Sequence, residues 1–569
     1  MIKSGKLFPY TFDENFSKPV AYFSMEFAID QALKIYSGGL GFLAGSHMRS
    51  AYERRQNFIG IGILWKYGYY DQERNMDGKM KVSFIEKNYS FLADTGIRFP
   101  ITIHKHEVQV KVMLLRAEVF NTAPLFLLTT NIPENDHLAQ TISDRLYDPH
   151  ESARIAQSNL LGIGGAKLLD LLGRETDIYH MNEGHALPLC FYLWNKYQDL
   201  NEVKKRVVFT THTPEVAGNE EHDIAKLEVM SFFGDISKEQ YQTLAEPNPR
   251  ILNYTLAALR MAKIANGVSR LHGEVSRDMW KDFDGICEIK SITNSQNHSY
   301  WKDIELEKGF ELNDGKIVKA RKRMLKRKLF AFVANQTGKL LDENALTIVW
   351  ARRFADYKRA NLLLTDFDRF RKILSDAARP VQIIWAGKPY PSDHVSVGIF
   401  NDIYWKTKEI PNCTILTGYE LELSGLLKRG SDVWLNNPRL FREASGTSGM
   451  TAAMNGSINL SIPDGWVPEF NKSGSNCFSI EPADRQLPEE EQTILEAEHL
   501  YEVLEQQVIP MYYGRPDEWF DIMRQAWMDV MPEFESNRMA EEYYQKMYEI
   551  VFQAEPNQVE AAATLKASV

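Results

Sequence analysis

The feature that most constrains this chain is a recurrence in its second half. Four short apolar runs, Leu346–Phe354 (LTIVWARRF), Val381–Lys388 (VQIIWAGK), Asn412–Gly418 (NCTILTG) and Ser431–Pro438 (SDVWLNNP), follow one another. Their spacing of about 30 residues is that of one strand-plus-helix unit in a parallel sheet. The first half carries comparable runs at Val20–Phe27, Phe58–Trp65, Val108–Leu115, Pro124–Thr130 and Arg206–Thr213. Both halves therefore read as doubly wound α/β sheets. A chain of 569 residues exceeds what one core supports, which favours two large units. The polar segment between about Asn294 and Glu343 is the expected join. The division expected is 1–300, 301–535 and a returning C-terminal segment at 536–569, whose end from about Glu555 is polar, Ala-rich and expected to fray.

Several function classes are disfavoured by composition. A net charge of −10 and a pI near 5.8 lack the basic face of a nucleic-acid binder. The basic stretch Lys319–Val333 carries Met324, Leu325, Leu329 and Phe332 at helical spacing, so its cations read as the solvated face of an amphipathic helix. Cys190, Cys287, Cys413 and Cys477 are far apart and form no metal-spaced set, a pattern suited to a reducing cytoplasm. No stretch is apolar enough to span a bilayer and the N-terminus has no apolar leader core. The expectation is a soluble cytoplasmic protein without nucleic-acid or membrane partners.

In open parallel sheets ligands bind beyond the carboxyl ends of the strands, and the unusual residue clusters fall there. Tyr36–Ala51 (YSGGLGFLAGSHMRSA) has glycines at 38, 39 and 41 before a helix, suited to close approach by an anion or equally to a tight turn. Met181–Ala186 (MNEGHA) and Thr211–Gly218 (THTPEVAG) supply His185 and His212, which acid–base chemistry or plain structure would explain. Asn266–Trp280 (NGVSRLHGEVSRDMW) is a turn feeding a helix. In Ala351–Leu363 (ARRFADYKRANLL), Arg352, Arg353, Lys358 and Arg359 crowd one strand end. In an acidic protein that density points to phosphate oxygens, which Arg forks and Lys charges hold. Glu443–Gly449 is small, polar and Gly-rich, offering backbone donors beside a carboxylate, as a phosphate and a hydroxylated ring require.

Taken together and in order, SGGLGFLAG, NEGHA, THTP, NGVSRLHGEVSR, ARRF with YKRA, WAGK, and DVWLNNP with EASGTSGM resemble the shorter bacterial α-glucan phosphorylases. The matches run from about Tyr22 to Trp466. The resemblance implies two Rossmann-like domains facing across a cleft, the glycosyltransferase-B fold. It also implies glucosyl transfer with retention between an α-1,4-glucan or maltooligosaccharide and phosphate or glucose 1-phosphate. Pyridoxal phosphate is the implied cofactor, used for its phosphate, and a homodimer is the implied assembly. Carried over by position, Gly38 and Gly39 form the loop over the substrate phosphate. His212 sets its carbonyl against the glucosyl ring, and Asn182 and Asn266 join the substrate-binding residues. Arg353 and Lys358 hold the phosphate, with Arg352 facing the cofactor phosphate. Glu443, Ala444, Ser445 and Gly446 grip the glucose, with Thr447 near the cofactor.

Three departures stand out. The family's EASGTSGMK lysine, which forms an imine with pyridoxal phosphate, is Thr451 here, and no lysine lies between Thr447 and Asn455. The cofactor is therefore expected to be non-covalent if bound at all. The family's NGVHxxTW reads NSQNHSYW (Asn294–Trp301), with Asn297 at the His position. The family's AGHD reads AGNEEHD (Ala217–Asp223), displacing His222. Besides a phosphorylase, a glucosyltransferase using a nucleotide-glucose donor and a non-catalytic glucan-binding relative remain open alternatives.

Overall fold

A computed structural model describes residues 7–215 and 218–549. The segment expected to fray, from about Glu555, lies outside the described residues. The first sheet has nine strands: β1 (Val20–Phe23), β2 (Phe58–Ile63), β3 (Ala93–Ile103), β4 (His106–Leu115), β5 (Leu125–Thr129), β6 (Ile178–Asn182), β7 (Val207–Thr210), β8 (Ile264–Gly267) and β9 (Glu288–Ser291). They run in the order β9-β8-β7-β6-β1-β2-β5-β4-β3. Pairing is parallel from β9 to β5 and antiparallel across β5, β4 and β3. The central strands are buried throughout, as a sheet covered on both faces requires.

The second sheet is wholly parallel. It contains β10 (Leu346–Ala351), β11 (Val381–Ala386), β12 (Cys413–Leu416), β13 (Val433–Asn436), β14 (Ile458–Ser461) and β15 (Cys477–Ser479), ordered β12-β11-β10-β13-β14-β15. This is the order of a dinucleotide-binding fold, which reverses direction between its first and fourth strands. Both expected doubly wound sheets are thus present. Each sheet has its own apolar core.

Five helices bear on the cavity and its supports: α1 (Gly39–Glu53), α2 (Gly315–Thr337), α3 (Leu421–Gly430), α4 (Ser448–Ala453) and α5 (Ser536–Tyr543). Asp314 caps α2 through the amides of Lys316 and Ile317, and Gly338 closes it in the left-handed region. One expectation fails on α2. Its buried stripe includes Lys322 and Lys326, whereas Met324 is half exposed. Lys322 Nζ donates to the carbonyls of Arg429, Ser431 and Asn455, and Lys326 Nζ pairs with Asp432 at 2.6 Å. These lysines close carbonyls and a carboxylate at the foot of the second sheet, so they are satisfied inside rather than solvated.

Helix α5 returns the chain to the first sheet. Ser536 and Ser50 hydroxyls bond each other, and Tyr543 OH meets Asn266 Nδ2 at 3.2 Å. The two sheets are also joined directly. Gln72, in the hairpin Asp71–Arg74/Met80–Ser83, donates to Gly387 O and accepts from Gly418 N, both at 3.0 Å. Glu420 meets Lys388 at 3.0 Å, Lys34 and Gln31. No helix among the described residues is long and apolar enough to cross a membrane.

Candidate active site

Sheet topology predicts where a ligand should lie, because loops diverge at a point where strand order reverses. In the second sheet that point lies between β10 and β13. In the first it lies between β1 and β6. The loops leaving these four strands, joined by the one leaving β7, line a single cavity of about 410 Å³.

Twelve of the residues singled out from sequence meet there: Gly38, Gly39, His185, His212, Arg352, Arg353, Lys358, Glu443, Ala444, Ser445, Gly446 and Thr447. Asn182, Asn266 and Thr451 do not line it among the described residues. His222, which the shifted loop displaces, is buried between Glu151 at 2.7 Å and Glu220 at 3.0 Å, and Ala217 of that loop lies outside the described residues.

The cationic wall is built around one carboxylate. Lys358 Nζ approaches both oxygens of Glu443, at 3.0 and 2.6 Å, and Arg352 Nη1 lies 3.4 Å away. Burial raises the pKa of Glu443, but Lys358 and Arg352 outweigh it and the net shift is downward. The Glu443 amide donates to Asp464 at 2.9 Å, which fixes the loop. Gly446 turns it at φ 82°, a conformation that strains any residue with a side chain, and an added Cβ would lie 3.1 Å from Glu443 Cγ and press on the carboxylate arm. Arg353 differs from its neighbour. It is exposed within the cavity and has no ion pair among the described residues, so its charge is available to a ligand.

The opposite wall is ordered by two acidic residues that the sequence reading did not select. Glu26, beyond β1, accepts from Ser37 N at 2.6 Å, Gly38 N at 3.1 Å and Tyr147 OH at 2.7 Å. It thereby shapes the glycine loop, where a Cβ at 38 or 39 would meet nothing within 4 Å. Glu183, beyond β6, has φ 72°, an uncommon conformation for a side-chain-bearing residue and one that clusters at functional sites. It accepts from His212 N, from Thr213 Oγ1 at 3.1 Å and from Gly184 N at 3.3 Å. A detectable signal existed: a single acidic residue just past a buried strand, in a fold whose ligands bind at that edge.

His212 is held neutral. Burial, aided by His272 and His185, brings its pKa down to about 3. Its Nε2 meets Asn182 Oδ1 at 2.7 Å, and Asn182 Nδ2 donates to Ser24 Oγ at 3.1 Å, so the ring is oriented from beneath. Asn266 accepts from Thr210 at 2.7 Å. NMR of selectively labelled histidine should show the His212 ring uncharged across roughly pH 5–8. A protonation midpoint near the ordinary ~6.5 would contradict this placement.

A model of the carbohydrate phosphorylase family matches residues 289–480, which contain the cationic wall and the Glu443 loop. A maltodextrin phosphorylase of Thermococcus litoralis is 34% identical over 94% of this chain and 72% of its own. The chain belongs to the carbohydrate phosphorylase family. A glycogen phosphorylase of Aquifex aeolicus is 32% identical over 96% of this chain and 88% of its own. An uncharacterised protein of Methanocaldococcus jannaschii is 46% identical over 93% of this chain and 100% of its own.

Carbohydrate phosphorylases normally use pyridoxal phosphate, and the residues present can be tested against it. Its phosphate fits. Arg352 Nε and Ser445 Oγ are buried without a hydrogen-bond partner among the described residues, and both residues line the cavity. Its aldehyde finds no amine at position 451. Thr451 is fully buried and its hydroxyl donates to Ser448 O at 3.0 Å. The group fits this phosphorylase only if held without the linkage at 451.

Proposed function

We propose that the protein moves a glucosyl unit between the end of an α-1,4-glucan and phosphate, with glucose 1-phosphate as the small sugar product. The observation that carries this reading is the meeting of Arg352, Arg353 and Lys358 with the Glu443 loop at the switch point, opposite Gly38–Gly39 and His212. Arg353 and Lys358 hold the substrate phosphate under the glycine loop. Glu443, Ala444, Ser445 and Gly446 grip the glucose hydroxyls.

As the bond from the anomeric carbon to oxygen breaks, positive charge develops on the ring and negative charge on the departing or attacking oxygen. Fixed groups that complement both charges supply the largest catalytic effect in such a site. The cations serve the phosphate. The carbonyl of His212 serves the ring, which a neutral imidazole leaves unopposed. Asn182 acts through the His212 ring, and Asn266, engaged by Thr210 and Tyr543, acts as a positioning residue for the same strand ends. Pyridoxal phosphate, held without an imine at 451 by Arg352, Thr447 and Ser445, would supply a second phosphate beside that of the substrate.

A donor assay tests the reading. With a maltooligosaccharide acceptor, glucose 1-phosphate is expected to lengthen the chain and release inorganic phosphate. Lengthening from nucleotide-glucose donors alone, with nucleoside diphosphate released, would instead assign the cations to a diphosphate.

A further inference from the structure

Lys428 lies on α3 and is 1% exposed. Its Nζ is 3.7 Å from the centre of the Trp301 ring and 5.3 Å from that of Phe42. It makes no hydrogen bond or ion pair among the described residues. An ammonium has three donors to satisfy, and Lys322 and Lys326 nearby show how this chain satisfies them, with carbonyls and a carboxylate. Lys428 has aromatic faces only. An aromatic cage attracts a cation, but Arg429 follows directly, its guanidinium donating to Trp301 O at 3.2 Å. Burial first, and Arg429 second, push the amine well below the usual lysine range, which raises the share of its neutral, nucleophilic form.

The position of this amine matters. Asn455 Nδ2 donates to Trp301 O at 3.0 Å and to Thr451 O at 2.8 Å, tying the Trp301 wall to α4. Met450 and Met454 of that segment share one apolar cluster with Phe42 and Trp301. Phe42 also lines the cavity that holds Arg352, Thr447 and Ser448. One aromatic ring therefore separates the Lys428 amine from the cavity, beside α4, the helix that carries Thr451.

We propose that Lys428 takes up the aldehyde of pyridoxal phosphate, replacing from α3 the amine that position 451 lacks. The proposal rests on the phosphorylase reading of the cavity. The lone pair of the neutral amine adds to the aldehyde carbon and a C–N bond forms. The carbonyl oxygen then leaves as water with the two amine hydrogens, giving C=N. No oxidant or reductant is consumed. The Phe42 ring must turn aside to admit the aldehyde, and Arg352 with Ser445 receives the phosphate.

The full-length protein is incubated with one equivalent of pyridoxal phosphate, reduced with borohydride, digested and mapped by mass spectrometry. The expected result is imine absorbance before reduction and label on Lys428. Lys428→Met, close in length and apolar, is expected to keep the melting temperature and lose the label. If it does not fold, Lys428→Arg keeps the charge but lacks a primary amine, and should also lose the label. No label, label spread over surface lysines, or full labelling of the Lys428 variants overturns the proposal. The two readings fail separately: glucose 1-phosphate chemistry without this label removes only the linkage, whereas label on Lys428 without glucosyl transfer to or from phosphate removes only the function.

Discussion

Replacing Arg353 by alanine should lower kcat/KM with phosphate or glucose 1-phosphate by about a thousandfold, some 4 kcal/mol of transition-state stabilisation. The same change should leave thermal unfolding almost unmoved. Both expectations come from one contrast. Arg352 is 6% exposed and faces Glu443, so it has a structural partner, whereas Arg353 is exposed within the cavity and has no ion pair among the described residues. Arg353 interacts with Tyr357 and feels Glu443 without forming an ion pair, and a guanidinium with no carboxylate partner in a ligand cavity contributes more to the reaction than to stability. Arg353→Lys should recover only part of the loss, because an ammonium lacks the planar fork that meets two phosphate oxygens. Steady-state rates with phosphate varied, beside a melting curve, decide it. A large melting shift, or a rate near that of the unaltered protein, would remove Arg353 from the phosphate site.

Glu443→Ala should show the opposite balance, losing activity and stability together. The carboxylate is the partner of a buried lysine and a buried arginine. Removing it strands both charges, at a cost of about 3–5 kcal/mol, read as a fall in the urea midpoint at unchanged slope. Glu443→Gln should cost less, since an acceptor oxygen remains. The pH dependence follows from the direction of the shift. The folded-state pKa of Glu443 lies below its ordinary value, so its contribution is present above the ordinary glutamate range and is lost as pH falls through the lowered value. The stability gap between the unaltered protein and Glu443→Gln should therefore narrow on acidification. A gap that widens would mean that the carboxylate is not held by these cations.

The second sheet was legible where its strands are continuous apolar runs: β10 to β13 each fall within one. Two of the strands that no such run marks bury polar side chains. In β6 (IYHMN) His180 is fully buried because its ring nitrogens meet Tyr548 and Thr210, each at 2.7 Å. In β14 (INLS) Asn459 is buried because it donates to Gly449 O at 3.0 Å. No apolar pattern marks such strands, since the partners that make burial tolerable come from distant parts of the chain. The same limit explains Lys322 and Lys326, which read as solvated cations until their carbonyl and carboxylate partners are seen. The cationic cluster of the site was legible because so many cations at one strand end have few structural uses, although Arg359 has one, pairing with Glu496 and donating to the carbonyls of Asn437 and Pro438. Glu26 and Glu183 carried one signal, an acidic residue just past a buried strand, but the partners that define their roles appear only once the glycine loop and the His212 segment fold onto them.

The cleft as a phosphate site for glucosyl transfer is tested most directly in the phosphorolytic direction. Maltooligosaccharide and inorganic phosphate are incubated with the protein and the products are followed by phosphorus and proton NMR. The expected product is glucose 1-phosphate of α configuration, one per glucosyl unit lost from the chain, and it should be absent with Arg353→Ala. Free glucose without glucose 1-phosphate, or no reaction beside a measurable transfer from nucleotide-glucose, would contradict a phosphate site for glucosyl transfer.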